Sequence, residues 1–500
     1  MNFKLLYTYI SYYWLYLKMA RMIYKFIGWL AGFYLFLRFL FEPQIKNQLG
    51  KKLPGNTSKK NYYFSSIEDR VNYYLENIGS MYYTNDGSKR IVVIGNYNLA
   101  KEFYQSYRYT CRYYPHLGYV FEKLLKYSIG ANHGEKWLEM KKPLGQFFSH
   151  RSIKKHFNMI VEEAEKWLDS TFTNENTQTK NLNELQLERL TIRILAKIIY
   201  GKTNENEIDE LVELASMHNK IMQIMGQDML LKIPLFYKFF KNENCLLVDS
   251  FWTKWCAFNE RRKNNFDNNF DEETLFGTMI KCGAYQDEKA LLHSLYEIML
   301  FNQDIMVDSF SNLLWNLASN DSCIKDKILE EYQYKLNCDS KKLFDFSDYQ
   351  QIDQLEYLSC VINESARLNP GIVLTFSEML QKELVLDNFI LPAGTQISLD
   401  TQMINRDSLI WDNPHKFIPE RFENFGTSNK KFQFHRFGLG PRKCLGNLYA
   451  DYILKISILL LLNKFDFSLE STNVSKPNFR STIMNLSNFN PNYPIIFSLR

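Results

Sequence analysis

The stretch that decides the fold lies near the C-terminus and reads Phe437-Gly438-Leu439-Gly440-Pro441-Arg442-Lys443-Cys444-Leu445-Gly446. One cysteine lies among three glycines, a proline and two cations, and an apolar helical pattern begins at Leu448. The glycines at 438, 440 and 446 predict a backbone that takes positive φ and passes close to a bulky group. Arg442, Lys443 and the free amides at the helix start are expected to lower the pKa of the Cys444 thiol. The loop therefore predicts a thiolate that binds a soft metal, and a turn that contains a buried free cysteine is the alternative.

The spacing of five residues in this stretch resembles the haem-binding loop of the cytochrome P-450 family. The pattern is Phe-x-x-Gly-x-Arg-x-Cys-x-Gly, carried here by Phe437, Gly440, Arg442, Cys444 and Gly446. The resemblance implies haem b (iron protoporphyrin IX) as the cofactor. It also implies Cys444 as the proximal thiolate ligand of the iron and Arg442 as a partner of a haem propionate.

Composition limits the class of protein. The chain has 500 residues, 46% of them hydrophobic, and a formal net charge of +5. No repeat or long low-complexity linker divides it, so we predict one large domain with an N-terminal extension. The small net charge does not indicate a nucleic-acid partner. The eight cysteines form no C-x-x-C pair, which fits neither a disulfide framework nor a zinc site and favours a reducing compartment.

The N-terminal 42 residues are apolar and aromatic. Met22 to Phe41 comprises 20 residues, about the length that a bilayer requires, with Lys25 and Arg38 near enough to the ends to reach the membrane surface. We therefore predict a retained membrane anchor over residues 1–42, and an amphipathic helix packed on the domain remains the alternative. A polar hinge over 43–60 and a catalytic domain over 61–500 follow. The resemblance to the membrane-anchored microsomal type of the family implies an endoplasmic reticulum membrane protein with its catalytic domain on the cytoplasmic side.

The remaining pattern is mostly helical. Helices are expected over 152–172, 183–201, 207–228 and 247–261, and the longest, Leu292 to Asn320, is the predicted central helix. Arg90 to Ile94 predicts a strand, and 104–121 predicts a long loop. Glu383 to Leu399 predicts two strands joined by a turn at Pro392-Ala393-Gly394.

Trp137 and Lys141 share one face of a predicted helix, one turn apart. An indole N–H beside an ammonium group suits a carboxylate. The P-450 family carries a Trp-x-x-x-Arg/Lys pair here, and the resemblance implies that both side chains contact haem propionates, with Lys141 acting as a point charge. A buried tryptophan with a solvated lysine is the alternative.

The central helix departs from the pattern of the family. Members carry Ala/Gly-Gly-x-Asp/Glu-Thr, where the acid and the hydroxyl relay protons to iron-bound oxygen, and this motif falls on Phe301 to Ile305. The acid is present as Asp304, but Asn302 replaces the glycine and Ile305 the threonine. An isoleucine cannot donate a proton, which leaves the usual relay in question. Asp308-Ser309 is an alternative acid–alcohol pair, and an exposed helical Asp304 is the structural alternative.

Glu364 and Arg367 lie one turn apart in a helix that ends before Pro370, and Pro419-Glu420-Arg421-Phe422 follows. A generic surface pair of this kind contributes little. The family joins such a Glu-x-x-Arg pair to the later arginine in a buried network behind the cysteine loop. The resemblance therefore implies a structural network of Glu364, Arg367 and Arg421.

The resemblance covers roughly residues 60–500 and implies a mainly α fold with a small β side. The implied reaction inserts one oxygen atom from dioxygen into an apolar small molecule such as a lipid, sterol or xenobiotic, with electrons from NADPH through a flavoprotein reductase. Cations gathered near the cysteine suit an acidic electron donor, or form a solvated face; they are Lys136, Lys142, Lys430, Lys431, Arg436, Arg442 and Lys443. The resemblance also brings Gly371–Phe376 and Met484–Phe489 near the substrate.

Two other functions stay open at this point. Ile305 suits a reductase-independent hydroperoxide isomerase, dehydratase or peroxygenase, because those reactions need no relayed protons from a threonine. A haem carrier or gas sensor that retains the thiolate is the non-enzymatic alternative.

Overall fold

The computed structural model describes residues 45–47, 52–55, 63–64, 67–86, 89–106, 111–112, 118–172, 176–228, 231, 233–239, 241–266, 274–336, 349–423, 425, 433–470, 479–480 and 494–500. The predicted anchor 1–42, most of the hinge 43–60, the pair Lys430-Lys431 and the segment Met484–Phe489 lie outside the described residues. Within the described ranges, no helix is long and apolar enough to cross a membrane.

Helices dominate the fold. In chain order they are α1 Ile67–Asn77, α2 Tyr97–Ser106, α3 Tyr119–Leu125, α4 Gly134–Phe147, α5 His150–Thr171, α6 Leu187–Tyr200, α7 Glu205–Gln227, α8 Pro234–Phe239, α9 Glu243–Phe266, α10 Leu275–Lys281, α11 Glu288–Tyr296, α12 Gln303–Ser319, α13 Ser322–Leu336, α14 Tyr349–Asp353, α15 Glu356–Leu368, α16 Thr401–Ile404 and α17 Asn447–Lys464. The helices predicted over 152–172, 183–201, 207–228 and 247–261 are confirmed as α5, α6, α7 and α9, with small differences at their ends.

The strands form a small β side. They are β1 Tyr63–Phe64, β2 Met81–Asp86, β3 Lys89–Ile94, β4 Cys111–Arg112, β5 Thr177–Asn181, β6 Glu378–Met379, β7 Leu384–Leu386, β8 Phe389–Leu391, β9 Gln396–Leu399, β10 Phe465–Leu469, β11 Phe479–Arg480 and β12 Pro494–Leu499. The largest sheet has the order β2-β3-β9-β6-β4. Its β3 and β9 are parallel, and its other pairs are antiparallel. A three-stranded sheet, β10-β12-β5, and two short pairs, β7-β8 and β1-β11, complete the β structure of the described residues.

Two local predictions are wrong. Residues 104–121 are not one loop, because α2 continues to Ser106, β4 follows, and α3 buries four apolar side chains against the core. The segment 383–399 contains three strands, since β7 and β8 form a hairpin whose turn residues Asp387 and Asn388 both have positive φ. Asp and Asn tolerate this conformation, which matches the twist of a tight hairpin. The predicted turn at Pro392-Ala393-Gly394 is confirmed, since the Thr395 N–H donates to the Pro392 carbonyl oxygen at 3.1 Å, and it joins β8 to β9, which pairs with β3.

The predicted central helix exists but is interrupted. Between α11 and α12 the backbone forms a π-helical turn over Glu297–Phe301, where the Asn302 N–H donates to the Glu297 carbonyl oxygen at 3.1 Å. One extra residue in a turn rotates the faces of the two halves relative to each other, and such turns concentrate at functional sites. The face of α12 that is packed by α6 and α15 buries residues such as Phe310, Leu314 and Leu317.

The cysteine loop leads directly into α17, a helix that is almost completely buried. Every residue from 452 to 462 in α17 is buried, as expected for a helix that is apolar on all sides. Its one buried ammonium, on Lys455, donates to the carbonyl oxygen of Ile352 at 3.0 Å. The segment that precedes α17 is therefore anchored in the core.

Candidate active site

The loop before α17 turns tightly on its own hydrogen bonds. The Cys444 N–H donates to the Phe437 carbonyl oxygen at 2.9 Å, and the Lys443 N–H donates to that of Gly440 at 3.2 Å. Gly438 and Gly440 have φ of 70° and 68°, so the predicted positive φ is confirmed at these two positions. It is wrong for Gly446, whose φ is −81°. A Cβ at Gly446 would lie 4.0 Å from the cysteine sulfur.

Cys444 has an accessible side chain in a crowded surrounding. Burial raises the pKa of its thiol, while the Gly446 N–H, which donates to the sulfur, and the cations of Lys443 and Arg436 lower it. The net direction is upward, so the predicted lowering of this pKa is wrong for the cofactor-free chain. Arg442 also does not act on the sulfur as predicted, since Arg436 takes that place. A metal cation at the sulfur would reverse the balance, because a coordinating thiol is deprotonated.

Arg436, in the segment just before the cysteine loop, is held by two helices. Its guanidinium contacts Asp451 of α17 at 2.6 Å and Asn363 of α15 at 3.1 Å. Arg436 is therefore engaged in an ion pair, and Arg442 is engaged in other bonds. Among the described residues of the predicted basic surface, the exposed ones are Lys136, Lys142 and Lys443.

Arg442, Trp137 and Lys141 meet in space although some 300 residues of chain separate them. The Arg442 guanidinium lies 4.0 Å and the Lys141 ammonium 4.8 Å from the centre of the Trp137 ring. Lys141 donates to the carbonyl oxygen of Pro441 at 2.6 Å, and Arg442 donates to that of Asn132 at 2.6 Å. Burial and the neighbouring Arg442 lower the pKa of Lys141. The structure thus brings together the two cations and the indole that the sequence assigns to one site, and their binding of propionates stays a prediction.

A third cation at this place was missed by the sequence analysis. Arg112 in β4 lies opposite Glu378 of β6, and its guanidinium is 5.5 Å from the centre of the Phe376 ring. Burial raises the pKa of Glu378 to about 6, and Arg112 and Arg442 act in the opposite direction. The chain around Arg112 has no periodic pattern, and only the pairing of two distant strands brings it to the site.

The predicted network behind the cysteine loop is present. Glu364, fully buried, accepts two hydrogen bonds from Arg367 at 2.7 and 2.8 Å and one from Arg421 at 3.0 Å. The Ile418 N–H donates to the same carboxylate at 2.9 Å. Arg367 in turn donates to the carbonyl oxygens of Asn405, Pro414 and Lys416.

Asp304 is buried, so the reading as an exposed helical acid is wrong. The His218 Nε2 atom lies 3.3 Å from its carboxylate. The Asn219 amide, oriented to donate, reaches both oxygens at 2.9 Å. His218 also contacts the hydroxyl of Tyr296 through Nδ1 at 2.8 Å. Asp304 thus faces α7.

One stripe of the central helix is exposed or half-buried and comprises five positions, Ile298, Asn302, Ile305, Met306 and Ser309; Glu297, Val307, Asp308 and Asn312 are half-buried as well. Gly371 lies against this stripe, since a Cβ there would be 2.8 Å from the Ile305 side chain. Two of the five are polar, and the Ser309 hydroxyl already donates to the Ile305 carbonyl oxygen at 2.7 Å. Asp308 of the alternative pair is half-buried, and desolvation together with the charge of Asp304 raises its pKa well above the usual range.

This combination of a glycine-rich cysteine loop, a cationic indole site and a buried Glu-x-x-Arg network can be compared with known proteins. A family model described as cytochrome P-450 matches residues 52–496. The chain belongs to the cytochrome P-450 family. It is 23% identical over 393 residues to cytochrome P-450 monooxygenase gliC of Aspergillus fumigatus, covering 75% of this chain and 74% of the relative. It is 24% identical over 461 residues to the monooxygenase asaD of Aspergillus flavus, covering 89% and 86%.

The fold comparison agrees with this P-450 assignment. A solved structure of retinoic acid bound cyanobacterial CYP120A1 superposes with a TM-score of 0.71 at 18% identity, covering 86% of this chain and 94% of that one. The predicted mainly α fold with a small β side is therefore confirmed. The protein is an oxidoreductase of the monooxygenase type, and P-450 monooxygenases generally use a redox partner and bind small-molecule substrates.

Members of the P-450 family bind haem b through a cysteine thiolate, and the residues present here fit that cofactor. The accessible sulfur of Cys444 accepts a backbone hydrogen bond from Gly446 and is the kind of soft donor that iron binds. The cations of Arg112, Arg442 and Lys141 provide counter-charges for two propionates. A structural thiol in a closed core would have neither feature.

Proposed function

We propose that Cys444 is the proximal ligand of haem b in a monooxygenase that oxidises an apolar small molecule with dioxygen. The accessible sulfur on the glycine-rich loop is the observation that carries this proposal. Bound haem supplies the oxygen-activating chemistry, and a thiolate ligand donates electron density that favours O–O cleavage. The chain itself holds, orients and shields that cofactor.

The propionate side of the site rests on three cations and one indole. We assign Arg442, Lys141 and Arg112 to neutralise the propionates, with Trp137 as the surface on which the first two are held. An arginine held over an aromatic ring is oriented before the ligand arrives, which reduces the entropy lost on binding. Glu364, Arg367 and Arg421 stabilise the chain behind the cysteine loop and do not touch the reacting atoms.

The substrate side is formed by apolar and small residues. The accessible stripe of α12 carries Ile305 and Met306, and the Gly371–Phe376 segment lies against it at Gly371. These surfaces favour an apolar substrate. We assign delivery of electrons from NADPH to a flavoprotein reductase. The exposed cations Lys136, Lys142 and Lys443 suit such a donor, because a positive surface steers an acidic partner.

We assign Asp304 as the acid of the proton relay that oxygen activation requires. His218 and Asn219 fix its carboxylate in the buried wall of the site. The hydroxyl that would pass a proton onward in the family pattern is replaced by the aliphatic side chain of Ile305, so a different group must complete the relay.

A second function is favoured by the same isoleucine. A reductase-independent conversion of a lipid hydroperoxide, by isomerisation, dehydration or peroxygenation, needs no relayed proton from a hydroxyl. NADPH-dependent turnover with a reductase, compared with turnover on a hydroperoxide alone, separates the two functions. Product formed only with the hydroperoxide would refute the dioxygen reaction.

The cofactor assignment is tested by the carbon monoxide difference spectrum of the reduced protein. We expect a strongly red-shifted Soret band that is lost in Cys444→Ser, because a hydroxyl is a poor substitute for a thiolate. The matched control is Cys360→Ser, a buried cysteine outside the loop. A red-shifted band that survives in Cys444→Ser would contradict the assignment.

The cellular setting is also a proposal. The composition of residues 1–42 supports a membrane anchor, and with it an endoplasmic reticulum location that puts the catalytic domain on the cytoplasmic side. Fractionation of cells that express the whole chain and a chain starting at residue 43 tests this. Equal recovery of both in the soluble fraction would refute the anchor.

A further inference from the structure

The loop Ser128–Asn132, which joins α3 to α4, is tied to the central helix at two neighbouring backbone amides. The Ile129 N–H donates to the Ser294 hydroxyl at 3.1 Å. The Gly130 N–H donates to the Glu297 carboxylate at 2.8 Å. Ser294 and Glu297 are three residues apart and so share a face of α11 and the π turn.

The other end of the same loop is tied to the cysteine loop. The carbonyl oxygen of Asn132 accepts the Arg442 guanidinium at 2.6 Å. Within the loop, the Asn132 amide donates to the Ser128 carbonyl oxygen at 2.7 Å and the Ala131 N–H donates to the Ser128 hydroxyl at 3.3 Å. These internal bonds make the segment stiff, so that the position of Gly130 constrains the position of Asn132.

The loop is built closely around the Glu297 carboxylate. A Cβ on Gly130 would lie 1.9 Å from a carboxylate oxygen and 2.7 Å from the carboxyl carbon of Glu297. No side chain fits at this position without displacing the acid. The glycine here serves a close approach and not a positive φ.

Glu297 also belongs to the electrostatics of the cationic site. Burial raises the pKa of its carboxyl, and hydrogen bonds from Gly130 and Ser128 and the charges of Arg112 and Arg442 oppose that effect. An acid that both guanidiniums influence lies near the place proposed for the propionates.

We propose that Glu297 is a positioning residue for the propionate site, which acts through Gly130 and Asn132 to hold the Arg442 guanidinium in place. This inference rests on the role proposed above for Arg442. It identifies a carboxylate two helical turns before Asp304 as part of the cofactor-holding structure.

The test measures the rate at which haem leaves the purified holoprotein for an excess of apomyoglobin. Glu297→Ala removes the acceptor of the Gly130 N–H, and we expect haem release to be about tenfold faster, the effect of losing one hydrogen bond to a charged group. Glu297→Gln keeps an acceptor oxygen at the same reach and is expected to stay within about twofold of the wild type. Glu297→Asp keeps the charge but is too short, and is expected to behave like the alanine variant.

A double-mutant cycle with Arg442→Gln distinguishes a positioning role from general destabilisation. If Glu297 acts through Arg442, Glu297→Ala accelerates haem release in the wild type but adds little in the Arg442→Gln background. Glu330→Ala, on the exposed side of α13, is the matched control and should change nothing.

The outcomes separate the two proposals. Wild-type release from Glu297→Ala or from Glu297→Asp, with fast release from Arg442→Gln, overturns the positioning role and leaves the propionate role intact. Fully additive effects overturn it as well. Wild-type release from Arg442→Gln overturns the role of Arg442 itself.

Discussion

Replacing Glu364 by glutamine should strongly destabilise this protein although the two side chains have nearly the same shape. The carboxylate is fully buried and accepts four hydrogen bonds, three of them from the guanidiniums of Arg367 and Arg421. Glutamine removes the charge and turns an N–H₂ group toward donors. The guanidinium of Arg406 is a third cation in this region. Burial and the charge of Arg367 lower its pKa to about 9.

The expected loss in unfolding free energy is about 3–5 kcal/mol, the usual cost of leaving one partner of a buried pair without its counter-charge. That is a large part of the ~5–15 kcal/mol that native proteins have in total. The same change at an exposed pair, Glu213→Gln opposite Lys254, should cost less than about 1 kcal/mol. Burial and the larger number of hydrogen bonds to Glu364 make the difference.

The assay is urea unfolding of the holoprotein, followed by far-UV circular dichroism and by the Soret band. Haem content should fall together with stability, because Asn363, the neighbour of Glu364, holds Arg436 of the cysteine loop at 3.1 Å. If Glu364→Gln lost no more free energy than Glu213→Gln, the buried network would not be what stabilises this region.

Three further predictions concern the cysteine loop and the central helix. Arg436→Gln should raise the pKa of the Cys444 thiol, because it removes a cation and leaves Asp451 without that partner. Alkylation of the cofactor-free protein by iodoacetamide at pH 8 should therefore slow about threefold. An unchanged rate would contradict this prediction. Burial lowers the pKa of His435 to about 4, from about 6.5 in the unfolded chain, so the unfolded chain binds the proton first as the pH falls, and the free energy of unfolding should decrease by up to about 3 kcal/mol between pH 6.5 and 4. In His435→Phe the urea midpoint should lose this part of its dependence on acid pH. A pH profile identical to that of the wild type would refute the prediction. Ile305→Thr introduces a hydroxyl next to Asp304 in the sequence and should lower the free energy of unfolding by about 1 kcal/mol. The variant should release a smaller share of the electrons from NADPH as hydrogen peroxide. An equal or larger share would count against the proposed relay.

The central helix illustrates where a pattern stops being informative. Its length and apolar content were readable, but the π turn at Glu297–Phe301 was not, because it depends on one backbone bond between Asn302 and Glu297. Asp304 was readable as an acid at the position of the motif. Its burial against His218 was not, since that contact joins two helices whose packing no local spacing encodes.

The sequence by itself determined the family, the cysteine and the order of the motifs. These rest on residue types at fixed short spacings, and the loop around Cys444 and the pair Glu364–Arg367 are each closed by contacts within a few residues. A sulfur, a glycine that turns and a salt bridge one helical turn long are local chemistry, which a linear pattern can carry.

Only the tertiary structure decided how the cationic site is assembled. It brought Arg112 to the site through a strand pairing, placed Arg442 over Trp137, and set Glu297 against a glycine with no room for a side chain. These contacts join residues far apart in the chain. They follow from which faces pack together, and packing is a property of the whole core that spacing along the sequence does not record.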